Sequence, residues 1–123
     1  GGLEVLIGMN RDPQFGPLIT FGLGGIYVEA LKDVTFRVAP FSRKEAQAML
    51  EEIRASSLLE GVRGEPPVDK DSIVEILMRI GQLVQQFPEI AELDINPLIV
   101  YPEGQGAIAI DMRLVLSSEK EGE

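Results

Sequence analysis

Hydrophobic and polar residues alternate in several short stretches of the chain, and this pattern predicts strands. Between Leu3 and Asn10 every second residue is apolar, a period of two that is typical of a strand with one buried face. Turn-forming residues from Arg11 to Gly16 and an apolar run from Pro17 to Phe21 predict a hairpin partner. The same alternation from Val34 to Val38 predicts a third strand.

Two segments in the middle of the chain have the apolar spacing of helices. Ser42, with a glutamate three residues later, has the spacing of a capping box, and helical periodicity follows to about Ser56. The Gly- and Pro-rich segment 61–67 is predicted to be a loop. A second helix is predicted to open within Asp69–Ser72 and to end before Pro88, because proline cannot continue the hydrogen-bond pattern.

The chain closes with a second predicted hairpin, from Glu92 to Tyr101 and from Gly106 to Leu114. Most of the predicted strands are joined by hairpins, and few connections could cross over between parallel strands. This order of elements indicates an α+β fold. We expect an antiparallel sheet of four to five strands with two helices packed on one face. Residues 1–116 are predicted to form one domain, and the charged segment 117–123 a disordered tail.

Composition narrows the classes of function. The 123 residues are 45% hydrophobic and 25% charged, which fits one globular domain. A formal net charge of −9 argues against nonspecific binding of DNA or RNA, because such a surface repels the phosphate backbone. No apolar run approaches the roughly 18 to 20 residues of a membrane span, so we expect a cytoplasmic protein.

The chain has neither cysteine nor histidine. Disulfides, thiolate nucleophiles and imidazole acid–base chemistry therefore cannot come from these residues alone. Any metal bound here must be a hard cation held by oxygen atoms. Because the sequence starts at Gly1 without a methionine and enters a strand pattern at once, we expect a fragment of a larger polypeptide or a processed chain.

The terminal hairpin brings oxygen donors together if its turn is centred between residues 103 and 104. Asn96 then lies opposite Asp111, and Asp94 opposite Arg113. Side chains opposed in this way have Cβ atoms about 4.5 to 5.5 Å apart, so Asn96 and Asp111 could share one Mg²⁺. An odd-length loop would break this pairing, and the alternative is a solvated face with a weak surface ion pair. Pro97 indicates an edge or a bulge beside Asn96.

Two further features could contact an anion. The cluster of Gly22, Gly24 and Gly25 could let backbone amides approach a phosphate, although glycines also serve plain hairpin turns. Arg37 alternates onto the polar face of the third predicted strand, where it could meet a phosphate.

Three segments carry motifs that are specific in combination: FGLGGIYVE at Phe21–Glu29, LLEGVRGEPP at Leu58–Pro67 and ELDINPLIV at Glu92–Val100. Together they resemble the C-terminal lobe of the ATP-grasp domain in ADP-forming acyl-CoA synthetases, including the beta-type part of acetate–CoA ligases. The succinyl-CoA synthetase beta chain is more distantly similar. The resemblance covers about residues 3–114.

This resemblance implies a function. In that family the asparagine of the Asn-Pro-Leu segment and the aspartate of the next strand bind the magnesium of ATP or ADP, and these positions are Asn96 and Asp111 here. The implied reaction interconverts acyl-CoA, ADP and phosphate with free acid, CoA and ATP. Phosphate passes through a phosphohistidine, which another segment must supply because this chain has no histidine.

The resemblance also implies partners. An ATP-grasp site lies between two lobes, so the implied partners are the first lobe and a CoA-ligase subunit or domain of alpha type. Alone, this lobe is expected to be inactive. One alternative is a non-catalytic regulatory or oligomerisation module derived from the same fold. Another is a small α+β ligand-binding domain without nucleotide chemistry.

Overall fold

The computed structural model describes residues 2–117, which form an antiparallel sheet with helices. The strands are β1 (Leu3–Asp12), β2 (Gly16–Leu23), β3 (Val34–Val38), β4 (Ile90–Val100), β5 (Ala107–Ala109) and β6 (Met112–Leu116). The helices are α1 (Ile26–Glu29), α2 (Arg43–Glu52) and α3 (Lys70–Gln86), with a 3₁₀ turn at Ser56–Glu60.

The sheet has the strand order β3-β2-β1-β4, and both β5 and β6 pair with β4. Every pairing is antiparallel, so the predicted α+β fold is confirmed. The described residues 2–117 contain six strands where four to five were expected, because the last predicted strand is broken at residues 110–111 into β5 and β6. The short helix α1 was not predicted.

Local capping starts both long helices. At the start of α2 the Ser42 hydroxyl accepts from the Glu45 N–H at 3.1 Å, and the Glu45 carboxylate accepts from the Ser42 N–H, which confirms the capping box. The helix ends at Glu52, short of the predicted Ser56, where the 3₁₀ turn begins instead. Asp69 caps α3 by accepting from the Ser72 N–H at 3.1 Å.

The two faces of the sheet differ. One face packs against α2 and α3 and forms the core, whose fully buried members include Val5, Ile7, Ile19, Phe21, Leu77 and Leu98. We call the other side the open face. Its residues alternate with those of the core and, across five strands, one row of it consists of Phe36, Thr20, Gly8, Asp94 and Arg113.

Of the predicted tail 117–123, the structure describes only the first residue, Ser117. Ser117 donates its backbone N–H to the carbonyl oxygen of Glu89 at 2.6 Å, and residues 118–123 lie outside the described part of the chain. Among residues 2–117, no helix is long and apolar enough to cross a membrane.

Candidate metal and nucleotide site

A bulge interrupts β4 at the predicted metal pair. The register between β1 and β4 shifts between Val5↔Leu98 and Ile7↔Ile95, so that Asn96 and Pro97 together oppose Leu6. The peptide bond between Asn96 and Pro97 is cis. The bulge predicted from Pro97 is therefore present, and such irregularities change the direction in which a side chain points.

Asn96 and Asp111 are neighbours across the terminal hairpin. The Asn96 N–H donates to the Asp111 carbonyl oxygen at 3.1 Å. The flanking pairs Ile95↔Met112 and Leu98↔Ala109 have the predicted register. Asp111 lies in the break between β5 and β6, directly opposite the bulge on β4. The two residues are thus neighbours across the hairpin, as predicted, although each lies at an irregularity and not within a regular ladder.

A shallow cavity of about 260 Å³ on the open face holds both side chains. Asn96 and Asp111 are exposed, and they offer an amide oxygen and a carboxylate, which are ligands of a hard cation such as Mg²⁺. Within residues 2–117 no group of three or more acidic, histidine or cysteine side chains could enclose a metal ion. The donor set therefore fits a Mg²⁺ ion that takes most of its ligands from phosphate and water. The cavity is lined by Leu6, Asp94, Asn96, Asp111 and Arg113.

Asp94 and Arg113 form the ion pair that the register predicted. Arg113 Nη1 lies 3.3 Å from Asp94 Oδ2 and 3.1 Å from Glu92 Oε1. The hydrogen bond to Glu92, followed by the contribution of Asp94, raises the pKa of the Arg113 guanidinium. On its other side, Asp94 faces Gly8, where a Cβ atom would lie 3.1 Å from Asp94 Oδ1.

The three clustered glycines lie at the end of β2, and each has a local structural reason. A Cβ at Gly22 would lie 2.9 Å from the carbonyl oxygen of Asp33 and 3.0 Å from Val28 Cγ2. Gly24 donates its N–H to the Glu4 carbonyl at 2.8 Å, and Gly25 has a φ of 65°. Gly22 pairs with Leu6, which lines the cavity, so it lies two strands away from the Asn96 bulge. Phosphate binding by these glycines stays a prediction.

Arg37 is not brought to this cavity. Its side chain lies on the α2 side of β3, where its guanidinium contacts Glu52 at 2.8 Å and Glu45 at 3.8 Å. The hydrogen bond to Glu52 raises the pKa of Arg37, and the same bond lowers the pKa of Glu52. The strand β3 is the edge opposite β6, so Arg37 and Asp111 lie at opposite edges of the sheet.

The family to which this chain belongs is known from its similarity to other proteins. Residues 1–116 match the family model of the ATP-grasp domain. The chain belongs to the ATP-grasp domain family. The strands and the Asn-Pro-Leu segment that carried the sequence resemblance all lie inside the matched residues.

Proteins similar to this ATP-grasp chain include acetate–CoA ligases of the ADP-forming type. The chain is 51% identical over 115 residues to the beta subunit of acetate–CoA ligase [ADP-forming] I from Pyrococcus furiosus, covering 94% of this chain and 49% of that subunit. It is 50% identical over 119 residues to acetate–CoA ligase [ADP-forming] I from Archaeoglobus fulgidus, covering 97% of this chain and 17% of that protein.

A solved structure has the same fold. Acetyl-coenzyme A synthetase 1 from Ca. Korarchaeum cryptofilum superposes with a TM-score of 0.87 at 49% identity, covering 94% of this chain and 54% of that one. That structure contains coenzyme A and Mg-AMPPCP, and its phosphohistidine segment points towards the nucleotide-binding site. This ATP-grasp chain thus spans about half, or less, of the length of these similar proteins.

Sequence reasoning missed two residues of the cavity region. Leu6 lines the cavity although it is apolar, and Gly8 supplies the space beside the Asp94 carboxylate. A signal for Gly8 was available, because a glycine inside a strand often marks a close approach of another group. For Leu6 the bulge on β4 is the deciding feature, and only the fold shows which residue faces it.

Proposed function

We propose that this chain is the C-terminal, Mg²⁺-nucleotide-binding lobe of the ATP-grasp domain in a cytoplasmic ADP-forming acyl-CoA ligase. The observation that carries the proposal is the adjacency of Asn96 and Asp111 at two opposed breaks in the terminal hairpin. The two oxygen donors open onto the open face, where a second lobe could cover them. The relatives that are about twice as long as this chain support such a missing lobe.

In this proposal Asn96 and Asp111 hold the Mg²⁺ of ATP or ADP. The bound ion supplies neutralisation of phosphate charge, which is the main requirement of phosphoryl transfer. The Asp111 carboxylate would be a negatively charged oxygen ligand of the ion, and the Asn96 amide a neutral oxygen ligand. Because only two ligands come from the protein, the remaining positions stay available to phosphate oxygens and water.

The other steps of the reaction need groups outside this chain. It contains no histidine, so the phosphohistidine of the proposed reaction would come from another segment of the enzyme. Free acid and CoA would bind on a CoA-ligase subunit or domain. The reaction proposed for the whole enzyme is the reversible conversion of acyl-CoA, ADP and phosphate into acid, CoA and ATP.

Asp111→Asn in the assembled enzyme tests this proposal. Loss of one charged ligand is expected to raise the KM for Mg-ADP by about 10- to 100-fold, the equivalent of a charge-assisted contact. Glu103→Gln is the matched control, because it removes the same charge from the exposed turn of the same hairpin. An Asp111→Asn enzyme with the same magnesium and ADP dependence as the parent would contradict the proposal.

A further inference from the structure

A second carboxylate, that of Asp94, lies close to the Asn96–Asp111 pair. Asp94 and Asn96 line the same cavity and are two positions apart on β4, or roughly 7 Å between Cα atoms. Glu92 lies twice as far along the strand, at roughly 13 Å from Asn96. A divalent cation attracts any carboxylate within reach, so Asp94 is the natural third ligand.

Two contacts direct the Asp94 carboxylate elsewhere. Its Oδ2 lies 3.3 Å from Arg113 Nη1, and the two residues are direct cross-strand partners. Its Oδ1 occupies the space left free by Gly8, since a Cβ there would come within 3.1 Å of that oxygen. The carboxylate is thereby held in the row of Gly8 and Arg113, one row away from Asn96 and Asp111.

We propose that Arg113 is a positioning residue that keeps Asp94 from becoming a third metal ligand; this inference rests on the proposed function. With Asp94 held by Arg113, the chain offers the cation only the Asn96 amide and the Asp111 carboxylate. Cation binding then depends on nucleotide oxygens, because two protein ligands leave most of the coordination shell to be filled. The ion is taken up together with the nucleotide and not before it.

Titration of the 123-residue chain with Mn²⁺ alone, followed by electron paramagnetic resonance, tests this role without any turnover. Arg113→Gln is expected to lower the Kd for Mn²⁺ at least about tenfold, since affinity follows the number of charged ligands. Arg113→Lys keeps a positive charge beside the carboxylates of Glu92 and Asp94, so its Kd for Mn²⁺ is expected to stay near that of the parent. Arg113 is exposed, with 63% of its side chain accessible, so these variants keep the fold.

The Asp94→Ala background separates ligand release from a simple change of charge. If Asp94 supplies the third ligand, Arg113→Gln gains little Mn²⁺ affinity once Asp94 is absent. The same gain in both backgrounds, or no gain in the parent background, would overturn the positioning role. The proposed function would survive that result if Asp111→Asn still raises the KM for Mg-ADP, whereas an unaltered KM would reject the proposed function itself.

Discussion

The backbone N–H of Asn96 donates to the carbonyl oxygen of Asp111 at 3.1 Å, which ties the two residues of the metal pair together across the terminal hairpin. Each of them lies at an interruption of its strand, Asn96 at the bulge and Asp111 between β5 and β6. The hydrogen bond therefore fixes the relative position of two segments whose side chains share one cavity.

Gly22 is predicted to contribute to the stability of the fold. An added methyl group would crowd the Asp33 carbonyl, Val28 and Val34 at 2.9 to 3.0 Å. Gly22→Ala should lower the free energy of unfolding by about 1–3 kcal/mol, as overpacking does. Urea unfolding of the chain measures this change.

Gly24→Ala is the comparison for Gly22, because its added methyl group would come no closer than 3.1 Å, to the Glu4 Cβ, and would crowd one residue instead of three. We expect a smaller loss of stability. If the predicted phosphate approach is right, Gly24→Ala also lowers kcat/KM for Mg-ADP in the assembled enzyme. If the folded Gly24→Ala variant has unchanged kinetics, Gly24 does not help to bind phosphate and only connects β2 to α1.

Asp69 is predicted to make stability depend on pH. Its buried carboxylate accepts from the Gly106 N–H at 2.8 Å and from the Ser72 N–H at 3.1 Å, and these bonds, the one to Gly106 foremost, lower its pKa. Because the pKa is lower in the folded state, the charged Asp69 carboxylate stabilises the fold fully at pH values above its ordinary pKa of about 3.9. This stabilisation is lost as the pH falls through the lowered pKa of the folded state.

Asp69→Ala should therefore cost about 1–3 kcal/mol of unfolding free energy at pH 7. The difference from the parent should shrink in urea unfolding measured below about pH 4. The control substitution is Asp71→Ala, which removes an exposed carboxylate two residues away and leaves both hydrogen bonds of Asp69 in place. A loss at Asp69 that is the same at pH 7 and pH 2 would contradict the role of its charge.

Arg37 is predicted to stabilise the packing of α2 on β3 and not to contact nucleotide, because its guanidinium already pairs with Glu52 and Glu45. Arg37→Gln should lower the melting temperature slightly and leave the KM for Mg-ADP in the assembled enzyme unchanged. An increased KM with an unchanged melting temperature would instead favour the phosphate contact that its strand position suggested.

Features that depend on neighbouring residues were predictable from the sequence. The bounds of β3 and the capping box at Ser42 rest on local periodicity and local hydrogen bonds. The register of the terminal hairpin was also predictable, because a short turn fixes which residues oppose one another. This register placed Asn96 beside Asp111.

Features that depend on distant parts of the chain were not predictable. Arg11 was expected in a turn, yet its guanidinium donates to the carbonyl oxygens of Val84 and Phe87 at the end of α3 and of Ile90 at the start of β4. Those partners are more than 70 residues away in sequence. The side of the sheet on which Arg37 lies is likewise decided by where α2 packs, since alternation alone does not say which face the helices cover.

Paramagnetic broadening by Mn-ADP tests the central claim most directly. Mn²⁺ broadens nuclear resonances near it, so even weak binding to the ¹⁵N-labelled 123-residue chain can be located by residue. We predict that the Asn96 and Asp111 amide signals broaden first, that those of Arg37 and Glu52 at the opposite edge stay sharp, and that Asp111→Asn removes the effect. Broadening centred elsewhere, or unchanged by Asp111→Asn, would contradict a metal site at Asn96 and Asp111.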